Sequence, residues 1–180
     1  LRRDPGNALL RQTSDLGEQF RVLRCLESTD VPAPKVFWYE ADPAVLGAPA
    51  LVMEKVSGEC PSPWRKTGRE YYSAAAERGV LPLSFIDALA AIHNVNWRDA
   101  GLDFLGVPDT GDSFARSEIT KWRGLIDESG HSGHPILDDL TGWLETHAPS
   151  TDRLTLVHGA YRTDNVLISH DHVSAVLDWE

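Results

Sequence analysis

His158-Gly159-Ala160-Tyr161-Arg162-Thr163-Asp164-Asn165 lies between two β-favouring runs, and Asp178-Trp179-Glu180 follows the second. Upstream, Leu154-Thr155-Leu156-Val157 predicts a strand; downstream, Val166-Leu167-Ile168 and Val173 to Leu177 flank the polar turn Ser169-His170-Asp171-His172 and predict a hairpin. A hairpin carries the chain back to where it started, so Asn165 and Asp178 are expected at its mouth. Two oxygen donors there make the hard site that Mg²⁺ accepts while keeping water and phosphate oxygens. Arg162 is suited to neutralise a phosphoryl group. The plainer alternative is a turn Asn, a strand-end Asp bonded to nearby backbone and a solvated arginine.

Working outward, Leu16, Phe20, Leu23 and Leu26 recur at helical spacing from Asp15 and stop before Pro32 and Pro34. Val36 to Tyr39 and Ala50 to Met53 predict two paired strands around a loop with Pro43 and Gly47, and Arg2-Arg3 reads as the end of another strand. Ser57 to Pro63, rich in Gly, Pro and Ser, predicts a boundary, giving a partial small lobe over 1–56 and a mainly helical lobe with the hairpin over 57–180. Ser84 with Asp87 three residues on predicts a capping box for a helix running to about Trp97. Ile119, Trp122 and Ile126, then Ile136, Leu140, Trp143 and Leu144, predict two more helices. The order indicates an α+β protein with segregated layers. Trp64, Trp122 and Trp143 are expected as core or interface anchors.

The 180 residues allow one or two compact units, and 42% apolar with 24% charged residues is globular usage. A net charge of -10 disfavours nucleic acid and anionic membranes as partners, while local cations and backbone N–H groups still permit a nucleotide. Two cysteines, without close spacing, predict reduced thiols and a cytoplasmic location. No apolar run reaches the ~20 residues of a membrane span. His131, His134, His170 and His172 lie in polar turns without a zinc-like ligand array. Both ends read as cut, and the oligomeric state stays open.

Together these segments resemble the aminoglycoside phosphotransferase and choline kinase-like small-molecule kinases of the phosphotransferase enzyme family. The loop is similar to that family's HGDxxxxN and the closing triplet to its DWE or DFE, the layout of the kinase catalytic loop and downstream D-F-G. Leu1 to Gly6 resembles VLRRPPG, Glu18 to Leu26 resembles REYRVLRAL, Thr29 to Val36 resembles TDVPVPKV, and Leu89 to Trp97 resembles LAxLHxVDW. Leu51 to Gly58 resembles the strand and hinge whose backbone holds adenine.

The resemblance implies a protein kinase-like fold and transfer of phosphoryl from ATP, with Mg²⁺, to a hydroxyl of a small molecule. Asn165 and Asp178 would hold the metal ions, Arg2, Met53, Glu54 and Val56 would contact the nucleotide, Arg162 would take the place of a phosphate-contacting lysine, and His158 would brace the loop. Two positions depart from the pattern. Gln19 stands where the family has a glutamate paired with the strand cation, and Glu18 is one position away, about a 100° rotation on a helix. Ala160 stands where the family has the aspartate that receives or orients the hydroxyl proton, help worth ~10²–10⁴-fold in rate. The chain is therefore expected to be an impaired kinase or, alternatively, a pseudokinase that binds a nucleotide or small ligand without turnover. An unrelated α+β fold with a chance motif would show no Mg²⁺-dependent nucleotide affinity.

Overall fold

The computed structural model describes residues 1–4, 15–107 and 111–179. Pro5, Gly6 and Glu180 of the quoted motifs lie outside them. The chain forms two compact units, one of Leu1–Leu102 with Thr155–Glu180 and one of Asp103–Leu154. The boundary predicted at 56/57 falls inside the first unit, because the hairpin near the end of the chain packs onto segments on both sides of it.

In the first unit, β1 (Arg2–Arg3), β3 (Ala50–Met53) and β2 (Val36–Glu40) form an antiparallel sheet in that order. Helix α1 (Leu16–Leu26) packs on β2 and β3. It starts at Asp15, whose carboxylate accepts from the Gly17 N–H at 2.8 Å, satisfying one of the donors a helix start leaves open. Its inner face carries Leu16, Gln19, Val22, Leu23 and Leu26, all buried at the i, i+3, i+4, i+7 spacing. Complete burial of a side chain such as Leu26 or Leu51 is worth about 1.5–3 kcal/mol. The predicted loop with Pro43 and Gly47 is instead a single helical turn, α2 (Pro43–Leu46), capped by Asp42 and closed by left-handed Gly47.

Helix α3 (Lys66–Arg78), which the apolar periodicity does not reveal, runs into α4 (Val80–Asn94) at left-handed Gly79. The capping-box reading of Ser84 is wrong. Ser84 lies inside α4, and its hydroxyl oxygen accepts from the Val173 N–H at 2.9 Å. Pro82 is tolerated because the first turn of a helix has no intrahelical use for its missing N–H.

The hairpin β4 (Val166–Ser169) and β5 (His172–Val176) turns through His170 and Asp171 at φ 50° and 61°, the consecutive left-handed pair that matches strand twist in a tight turn. Leu154 to Val157, expected as a strand, belongs to no sheet among the described residues. Ala75, Leu81, Val166 and Ile168 form the core beneath the hairpin, with Tyr71, Tyr72, Phe85, Tyr161 and Val173 packed around it.

The second unit contains α5 (Ser113–Glu128) and α6 (Pro135–Thr146), which pack on each other. Trp122 and Trp143 are half exposed, and Trp64 of the first unit more so, which removes the core alternative from their reading as core or interface anchors. Among the described residues no helix is long and apolar enough to cross a membrane.

Candidate active site

A cavity of about 600 Å³ opens in the first unit between the small sheet, α1 and the start and end of the hairpin. Arg2 enters it from β1, Gln19 and Leu23 from α1, and Met53, Glu54 and Lys55 from the chain leaving β3. Asp164 and Asn165 reach it from the loop before β4, and Leu177, Asp178 and Trp179 from the chain leaving β5. Two separate ladders thus deliver the lining, and each is fixed in register by its hydrogen bonds.

The two oxygen donors are neighbours through the backbone, because the Leu177 N–H donates to the Asn165 carbonyl at 2.8 Å. The Asn165 amide nitrogen donates to the Ala160 carbonyl at 3.0 Å, which commits its NH₂ to the loop and leaves its side-chain oxygen as the free acceptor. Asp178 stands at φ 65°, a left-handed conformation that aspartate tolerates better than most residues. Its carboxylate pairs with the Arg2 guanidinium at 3.1 Å.

His158 is buried and joins the two ends of the loop. Its Nε2 donates to the Leu177 carbonyl at 2.8 Å and its Nδ1 accepts from the Ala160 N–H at 3.3 Å, so the neutral ring satisfies both contacts. Burial pushes its pKa below the ordinary histidine value, in part offset by the Leu177 carbonyl and by Asp178. The ring lies against Trp179 with centroids 4.7 Å apart, and the Trp179 indole N–H donates to the Val176 carbonyl at 3.0 Å. Gly159 between these contacts adopts φ 82°, which a residue with a Cβ rarely accepts. On the other flank, the Tyr161 hydroxyl donates to the Phe85 carbonyl at 2.6 Å, and burial pushes its pKa up to about 12.

Of the residues singled out in the sequence, Arg2, Met53, Glu54, Asn165 and Asp178 meet in this cavity, whereas Val56, His158, Ala160 and Arg162 do not line it. The Glu54 N–H donates to the Lys35 carbonyl at 2.8 Å and its carboxylate accepts from the Lys35 N–H at 3.4 Å. Glu54 therefore continues the β2–β3 ladder, and its amide is committed. Arg162 is held in a two-pronged ion pair by Asp164, which raises the pKa of the guanidinium and lowers that of the carboxylate. Asp164, not Arg162, is the member of that pair that reaches the cavity. Lys55 comes with the hinge-like stretch and Asp164 with the loop from His158 to Asn165, whereas Leu177 carries no signal of its own.

The donor set fits a cation held beside an anionic ligand. Asn165 and Asp178 offer a neutral and a charged oxygen to a hard cation, while Arg2 and Lys55 supply positive charge in the same cavity. Among the described residues no group of three or more His, Cys, Asp or Glu stands ready to hold a metal by itself.

The model of the phosphotransferase enzyme family matches residues 1–180. This chain belongs to that family. It is 31% identical over 183 residues to acyl-CoA dehydrogenase family member 11 of Rattus norvegicus, covering all of this chain and 23% of the relative. It is 31% identical over 199 residues to the "probable acyl-CoA dehydrogenase IBR3" of Arabidopsis thaliana, covering all of this chain and 22% of that protein. The chain thus spans about a quarter of the length of these curated relatives. Among solved structures it matches the crystal structure of a "putative aminoglycoside phosphotransferase" from Ralstonia eutropha with a TM-score of 0.66 and 29% identity, over 90% of this chain and 48% of that one. That likeness implies the protein kinase-like fold expected from the sequence.

Proposed function

We propose that the cavity binds ATP with Mg²⁺ and serves phosphoryl transfer to a hydroxyl of a small molecule, at a rate reduced by Ala160. The observation that carries this reading is the meeting of Asn165, Asp178 and Arg2 in one cavity, with the Asn165 amide turned so that its oxygen is the free end. When bound, Mg-ATP supplies the transferable phosphoryl group and much of its charge neutralisation.

The chain's own contribution is positioning and charge. Asn165 and Asp178 hold the cation, Arg2 and Lys55 balance phosphate charge, and the backbone running from Met53 flanks the base. His158 ties the loop to Leu177, so that the residue at 160 and the oxygen at 165 keep a fixed spacing. Ala160 has no group to receive the hydroxyl proton. Arg162 is engaged by Asp164 and would serve at the exposed edge of the loop. The relatives named for acyl-CoA dehydrogenases make hydroxylated acyl groups the first acceptors to assay, beside aminoglycosides.

Ala160 also favours a second reading, a module that binds nucleotide without turnover. The two separate on one variant. Ala160→Asp is expected to raise ATP-dependent phosphorylation of a hydroxyl acceptor, or ATP hydrolysis, by ~10²–10⁴-fold. An unchanged rate with intact Mg-ATP affinity by calorimetry supports the module, and absence of Mg²⁺-dependent nucleotide affinity overturns both.

A further inference from the structure

Gln19 is 3% exposed, projects from the buried face of α1 and lines the cavity. Its amide nitrogen is buried without a hydrogen-bond partner. Leaving such a donor unpaired is costly, and most buried polar groups avoid it. Exchanging the amide for an apolar side chain of equal length would remove the cost, so its presence at the cavity wall points to an acceptor that arrives with the occupant.

The cavity's charges indicate what that acceptor is. Arg2 and Lys55 line the same space, so with Gln19 the wall carries three side chains that bear N–H donors, a combination that suits anionic oxygens. Arg2 is paired with Asp178 at 3.1 Å, and a hard cation taking the Asp178 oxygens would repel the guanidinium from them. A glutamate at position 19 would draw Arg2 to itself by charge. The neutral Gln19 does not, and it leaves Arg2 to follow the ligand.

We propose that Gln19 is a ligand-binding residue of this cavity, donating its amide N–H to a phosphate oxygen of the occupant, and that Arg2 moves from Asp178 to the same phosphates when the occupant binds with its cation. The proposal rests on the Mg-ATP reading given above.

The test compares the chain with its Gln19→Met variant, which keeps length and removes the donor. Calorimetry with Mg-ATP is expected to show about a 10- to 100-fold loss of affinity, the worth of a hydrogen bond to a charged group. The thermal midpoint without ligand is expected to hold or rise, since the unpaired donor is gone. A purely structural glutamine predicts the reverse, a lowered midpoint with affinity unchanged, and that result overturns the proposal while leaving the Mg-ATP reading intact. If the unsubstituted chain itself takes up no Mg-ATP, that reading fails and the role of Gln19 falls with it. Should the variant fold poorly, the side-chain NH₂ resonances of Gln19 in the unsubstituted chain decide. A shift on adding Mg-ADP supports the contact, and unchanged resonances in a chain that binds Mg-ADP overturn it.

Discussion

The hairpin β4–β5 and the helix pair α5–α6 are held by opposite means. The hairpin is tied to distant parts of its unit. Val176 donates to the Pro32 carbonyl at 2.7 Å, Ser174 to the Ser57 carbonyl at 2.9 Å, and Glu59 and Ile168 exchange two backbone bonds of 2.8 Å. Arg78 grips Asp171 through bonds of 2.5 and 2.7 Å. Val166, Ile168, Ala175 and Val176 are all buried. In the helix pair, α5 buries no residue and α6 only Thr141, and the ties between the helices are surface contacts such as Arg123 to Glu145 at 3.2 Å. The hairpin-borne residues that line the cavity sit beside the first kind of structure. A helix pair kept by its own periodicity and surface charge offers no comparable anchoring.

The contrast can be broken by substitution. Ile168→Ala is expected to cost about 2–5 kcal/mol of stability in denaturant unfolding, because a void opens in the core beneath the hairpin. A loss below about 1 kcal/mol would show that the hairpin is held by its rim alone. Next in size, Tyr161→Phe is expected to lose about 1 kcal/mol by removing the bond to Phe85. Burial raises the folded phenol's pKa to about 12 while the unfolded one titrates near 10, so this difference should hold at neutral pH and shrink as pH rises past about 10.

Acid should sharpen the comparison further. The His158 pKa is lowered by folding, so the unfolded chain binds the proton more tightly, and this stabilisation is present above the unfolded value near 6.5 and lost as pH falls below it. Unfolding midpoints measured from pH 8 to pH 5 should decline, and His158→Gln should flatten that part of the profile. The smallest effect belongs to the helix pair. Trp143→Ala, at a side chain 56% exposed, is expected to stay within about 0.5 kcal/mol, and a cost like that of Ile168→Ala would erase the distinction.

Where local chemistry decides structure, the sequence could be read. The apolar stripe of α1 that begins after Asp15, the β2–β3 pair and the polar turn at 169–172 each follow from a few adjacent residues. Helix α3 gives no such signal, because it buries only Gly68 and Ala75 and rests on Tyr71 and Tyr72, a pattern without an aliphatic stripe. Leu154 to Val157 has the composition of a strand but joins no ladder among the described residues, and a ladder is a property of two segments. At Ser84 the spacing of a capping box does not say whether the hydroxyl serves its own helix or a distant strand.

The site divides in the same way. Asn165 and Asp178 are legible because one hairpin separates them, and a hairpin's ends are close by construction. Arg2, Met53 and Glu54 were reached through the resemblance, and their meeting with the hairpin depends on the packing of two ladders. Arg162 lies outside the cavity lining, and Asp164, two residues away, competes for its guanidinium at short range. Nothing in the local sequence ranks that contact above a phosphate.

The left-handed backbone at Asp178 makes this position unlike residue 160, whose φ is not positive. Glycine, asparagine and aspartate enter that region at the least cost, and a β-branched residue would meet steric resistance there whatever the chemistry required. A lineage abandoning phosphoryl transfer could exchange residue 160 through many side chains, while residue 178 would stay confined to a narrow alphabet long after its carboxylate had lost its use.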